Sequence, residues 1–176
     1  MNKVKKTVIS AMFLALGFVL PFLTGQIQQI GNMFLPMHIP VLLCSFICGW
    51  KYASILGFVL PLLRSAIFTM PAMYPNALSM SLELFTYGFL ADFVYKHLKY
   101  KSVRYLYFAL IASMLGGRVV WGIAQSVLLG FGKNAFGFSA FISGAFLNAI
   151  PGIIIQLVFI PAIVVLLQKN KFFERE

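Results

Sequence analysis

Asn76-Ala-Leu-Ser-Met-Ser-Leu-Glu-Leu-Phe-Thr-Tyr87 sets four polar side chains into an otherwise apolar run. Wound as a helix, Asn76, Ser79, Glu83 and Tyr87 follow one another at steps of three, four and four, so they form one polar stripe. Glu83 is the only carboxylate that the sequence places deep within a membrane span. A carboxylate at depth is costly unless it faces a partner, a ligand or water. The stripe therefore either joins helices or lines a binding cavity.

The surroundings of this stretch decide the fold class. Hydrophobic residues make up 61% of the chain and charged residues only 10%, which excludes an ordinary soluble domain. The 176 residues fit about six spans at roughly 20 residues each, joined by short loops. We read residues 1–176 as a single all-α integral membrane domain, six transmembrane helices in one compact bundle. The 14 Lys and Arg outnumber the 4 Asp and Glu, but they fall in short clusters between apolar runs. That pattern orients a membrane protein in the lipid bilayer and is not a nucleic-acid patch. Cys44 and Cys48, both within one apolar run, read as small core residues rather than a disulfide or metal pair.

The expected spans are Thr7 to Thr24, a short Ile39 to Gly49, Tyr52 to Phe68, Asn76 to Tyr95, Tyr105 to Phe131 and Ser139 to Gln168. The N-terminal Lys3, Lys5 and Lys6 precede an apolar run without a small-x-small cleavage site, so this run reads as a retained first span. Between the first two spans lies a polar, uncharged connection, Gly25 to His38. With the N-terminus inside, the inner segments hold Lys51, Lys96, Lys99, Lys101, Arg104, Lys169, Lys171 and Arg175, and the outer ones only Lys133. This asymmetry predicts a multi-pass cell-membrane protein with both termini cytoplasmic.

On that topology the remaining polar groups gather in the outer half of the membrane. Arg118, Trp121 and Gln125 share one face of the fifth span. Asn148 lies on the sixth, His38 at the outer mouth of the second and Arg64 near the outer end of the third. Two arginines against Glu83 leave one positive charge over, which favours a ligand carrying an acidic group. The competing reading is a structural or assembly protein whose polar groups close on one another, Glu83 being neutralised by Arg64 or Arg118. No phosphate loop, His-Glu-x-x-His or Gly-x-Ser-x-Gly motif is present, and Glu83 and Asp92 lie too far apart along the helix for an acid–base pair. The sequence thus offers no catalytic residues, no metal site and no enzyme constellation. Ala11-x-x-x-Ala15 and the small pair Ala53 and Gly57 would let another helix approach closely, either a partner's or one of the bundle's own.

The chain resembles the substrate-binding S components of energy-coupling factor (ECF) vitamin transporters. The resemblance rests on Ala11-x-x-x-Ala15, Phe34-Leu-Pro-Met-His-Ile-Pro-Val-Leu-Leu43, Gly57-Phe-Val-Leu-Pro-Leu-Leu63, Met80-Ser-Leu-Glu-Leu-Phe-Thr-Tyr-Gly88 and Pro151-Gly-Ile-Ile-Ile-Gln156, and it covers nearly the whole chain. It implies a protein that binds a small vitamin at the outer face and works with a membrane T component and two cytosolic ATPase subunits. ATP would be used by those partners, so this chain would hold no cofactor. The resemblance also implies that Ala11 and Ala15 contact the T component and that the Gly25 to His38 connection closes over the ligand. Its ligand contacts would come from that connection and the last three spans, matching Asn76, Ser79, Glu83, Tyr87, Arg118, Trp121, Gln125, Asn148 and His38. Arg64 has no counterpart in that pattern. The positive excess argues against a cation such as thiamine and puts pantothenate first, ahead of a neutral pyridoxine- or pyrimidine-like vitamin.

Overall fold

The structure is a computed structural model that describes residues 2–24, 27–98, 102–129 and 137–169. Among the described residues all regular structure is helical. Five helices are long and apolar enough to cross a membrane, and one more apolar helix is too short to do so alone.

The first helix, α1 (Lys3–Val19), tightens into a narrower turn over Leu20–Thr24. The cause is Pro21, which has no N–H to continue the helical ladder. The expected connection after it contains a helix, α2 (Gln28–Phe34). Its polar sequence lacks an apolar period, which hid it. Leu35 ends α2 in the left-handed region at φ 51°, its N–H bonded to the Gly31 carbonyl at 2.9 Å. The chain then turns at once into α3 (His38–Cys48). Pro40 falls in the first turn of α3, where no backbone donor is required. Gly49 alone separates α3 from α4 (Trp50–Phe68), so Lys51 lies within α4 rather than in a connection.

The polar stripe does not belong wholly to one helix. Met73–Ala77 is a wide turn with Tyr74 extended, and α5 (Leu78–His97) starts after it. Asn76 therefore sits in the turn, ahead of the helix that carries the rest of the stripe. Next comes α6 (Val103–Leu129). The expected sixth span is broken: a short α7 (Phe138–Ile142), a wide turn Ser143–Leu147, and then α8 (Ile150–Lys169). The expected outer loop with Lys133, together with Lys99, Lys101, Lys171 and Arg175, lies outside the described residues.

α3 is the centre. From Pro40 to Cys48 every residue is buried, within an apolar core built also from α4, α5, α6 and α8. Its 11 residues rise about 16 Å, roughly half of a ~30 Å hydrocarbon core. α5 packs most extensively against α4 and α6. At Gly88 a β-carbon would overlap the Ala53 backbone, so α4 and α5 approach to backbone contact there. The small residues Ala53 and Gly57 are thus used inside the bundle. Ala11 and Ala15 instead face outward on α1, flanked by exposed Val8, Met12 and Leu16. Cys44 and Cys48 are unlinked and buried.

Candidate functional site

Glu83 points from α5 into the bundle and is only 2% exposed. Its Oε1 lies 3.0 Å from Nη1 of Arg118 on α6, a buried ion pair. Nε2 of His38, the first residue of α3, lies 3.3 Å from the same oxygen. The short α3 starts inside the bundle, so His38 is 1% exposed and stands in the wall, not at the outer mouth as expected. Tyr87, one turn below Glu83, is fully buried behind this group, its ring edge-on to His38 with centroids 5.2 Å apart. The Tyr87 hydroxyl lies beside Glu83 and Arg118 without a well-formed bond to either. Gly117 makes room for that ring, because a β-carbon there would overlap it. Removing Gly117's small size would push α6, and with it Arg118, away from α5.

Beside this charged group opens a cavity of about 120 Å³. Glu83 and Met80 contribute from α5, and Arg118, Trp121 and Gln125 from α6. His38 joins from α3, Asn76 from the wide turn, and Gly144 and Asn148 from the broken segment before α8. Leu35 and Pro71 complete the wall. Gln125 Nε2 donates to Asn76 Oδ1 at 3.2 Å, tying the turn to α6. Trp121 lies over Gly144 and stacks near Phe141, with centroids 6.4 Å apart. Several buried polar atoms of the lining side chains have no hydrogen-bond partner: Arg118 Nη2, Gln125 Oε1 and Nδ1 of His38. Buried polar atoms are ordinarily paired, so such a cluster calls for a bound partner.

The structure therefore brings together Asn76, Glu83, Arg118, Trp121, Gln125, Asn148 and His38. It leaves out three residues expected to join them. Ser79 is turned from the cavity and donates its hydroxyl to the Asn76 carbonyl at 3.0 Å. Tyr87 supports the wall from behind. Arg64 points the other way, donating from Nη1 to the Phe18 carbonyl at 2.7 Å. Its guanidinium lies over the rings of Phe22 and Phe68, at 5.2 and 5.1 Å. The physical reason is Pro21, which offers no N–H to the Phe18 carbonyl where α1 tightens, so the arginine serves it instead. Met80, Leu35 and Pro71 were not expected in the wall. Met80 could have been found, being four residues after Asn76 and three before Glu83. Leu35 and Pro71 come from turns and carry no such signal. Among the described residues no group of three His, Cys, Asp or Glu is placed to hold a metal ion.

Residues 5–164 match the family model described as ECF transporter, substrate-specific component. No curated protein and no solved structure matches the chain.

Proposed function

From the premise that the chain belongs to the family of ECF transporter substrate-specific components, we propose that it captures a small water-soluble vitamin or related micronutrient in the Glu83–Arg118 cavity. It then passes the ligand inward together with a T component and two cytosolic ATPase subunits. The carrying observation is the cavity itself, which five separate segments line with polar side chains, those of α3, α5 and α6 keeping buried atoms without a hydrogen-bond partner. On this reading the whole chain is one membrane domain with both termini cytoplasmic, the cavity opens outward, and ATP is spent by the partners. The exposed Ala11 and Ala15 on α1 support that helix as the face offered to the T component, since small side chains admit a close neighbour.

The ligand first favoured by the sequence, pantothenate, would bring a carboxylate. With Arg118 already engaged by Glu83 at 3.0 Å, that carboxylate would compete for the same guanidinium. The rival reading, a closed structural network, draws on this same ion pair.

Mass spectrometry of the protein purified in mild detergent tests the binding reading directly. A stoichiometric small polar metabolite should travel with it. The second half of the reading is tested by Ala15→Trp, which should abolish uptake in cells supplied with the partner subunits while ligand binding to the isolated chain stays within about twofold. Lost binding in a folded Ala15→Trp protein that still assembles would assign α1 to the wrong task.

A further inference from the structure

Resting on the binding reading above, the charge balance of the cavity narrows its ligand. Among the described lining residues the charged or titratable groups are Glu83, Arg118 and His38. Glu83 and Arg118 are 2% and 4% exposed and cancel across 3.0 Å, with His38 beside them counted as the neutral imidazole. Arg64, the second positive charge counted from the sequence, is spent on the Phe18 carbonyl and two phenylalanine rings. An anionic ligand would place two carboxylates against one guanidinium in a site of low dielectric. A cationic ligand would set two cations against one carboxylate. Either leaves a buried charge without its counter-charge and meets the desolvation cost of that excess. An uncharged ligand leaves the pair balanced.

The remaining features describe its shape and polarity. Arg118 Nη2 is a donor without an acceptor, and Gln125 Oε1 an acceptor without a donor, while the Gln125 amide nitrogen donates to Asn76 Oδ1. Trp121 presents an indole wall, and Met80 faces the same space from α5. A volume of about 120 Å³ is close to that of cavities which hold one benzene ring, of order 150 Å³. We infer that the cavity takes an uncharged, single-ring heteroaromatic carrying at least one hydrogen-bond acceptor, for Arg118, and one donor, for Gln125, with its ring against Trp121.

Isothermal titration of the full chain in detergent with matched pairs tests this. Each pair keeps the ring and changes the charge: nicotinamide against nicotinate, pyridoxine against 4-pyridoxate, and uracil against orotate. At least one neutral member should bind, and about tenfold or more tightly than its anion, a difference of ~1.4 kcal/mol. Glu83→Gln frees Arg118, so in that variant the ratio should shift toward the anion by about tenfold or more. Binding of none of the neutral members, or tighter binding of an anion or of pantothenate to the wild-type chain, overturns the inference. The wild-type comparison decides even if Glu83→Gln does not fold. The parent reading fails by a different sign, the absence of any carried metabolite and of assembly with the T component and ATPases.

Discussion

Two carboxylates sit on one helix, nine residues and about 14 Å apart, and they are handled in opposite ways. Asp92 is fully buried, and its Oδ2 accepts the Trp50 N–H at 2.8 Å and pairs with Lys96 at 2.7 Å. It thereby caps the first turn of α4, whose N-terminal amides have no partner within their own helix. Around it Ser45 bridges α3 to α5, donating to the Gly88 carbonyl at 2.8 Å and accepting from the Asp92 N–H at 3.0 Å. Glu83 is just as deeply buried, but its partners retain unpaired atoms beside a cavity. The Asp92 region joins three helices. The Glu83 region lines a cavity. Burial of a carboxylate is common to both, so burial alone does not mark a site; a buried polar group that borders open volume does.

The largest effect separating the two should come from removing each carboxylate. Glu83→Ala strands Arg118, 4% exposed, and should lower stability by about 3–5 kcal/mol, as for a buried pair that loses one member. The double variant Arg118→Met with Glu83→Gln should recover most of that loss in thermal unfolding, yet bind ligand poorly. Wild-type affinity in the double variant would make the Glu83 region a joint like the Asp92 region.

Asp92→Ala should cost less, about 1–2 kcal/mol, the scale of a lost helix cap. Lys96 is 50% exposed and can turn to water, unlike Arg118. Ligand affinity per folded molecule should be unchanged, measured by titration after quantifying the folded fraction. A fall in affinity at constant fold would tie the two regions together.

The smallest effect is expected from Gln125→Ala. It removes the unpaired acceptor and the bond to Asn76, and should weaken ligand binding by about 0.5–1.5 kcal/mol with little change in unfolding temperature. The reverse outcome, loss of stability without loss of affinity, would place Gln125 with the structural amides.

Much of the site was legible because helical periodicity is local. Arg118, Trp121 and Gln125 had to share a face once α6 was recognised, and Glu83 had to be matched to something. What misled was that the same rule admits two stripes through Asn76 and Glu83. The cavity takes Asn76, Met80 and Glu83, at steps of four and three, while Ser79 and Tyr87 on the flank of the same stripe are buried against the rest of the bundle. Arg64 was miscounted because its partner is a backbone carbonyl exposed by Pro21, and neither the carbonyl nor its vacancy has a signature in side-chain pattern.

Composition and the spacing of apolar runs determined by themselves that this chain is a helical membrane protein with one short span, and motif order pointed to its family. Hydropathy could not say which apolar helix lies inside. α1 and α3 are both uncharged through their middles, yet α1 shows Val4, Val8, Met12 and Leu16 to the outside while α3 is enclosed on every side. In lipid, an apolar side chain is at home either facing the tails or in the core, so transfer energy does not separate the two. Only packing decided it: Gly88 against Ala53, Tyr87 filling the space beside Gly117, and α3 too short to reach both faces. That packing set His38 beside Glu83, turned Arg64 away, and paired Glu83 with Arg118 at the edge of the cavity.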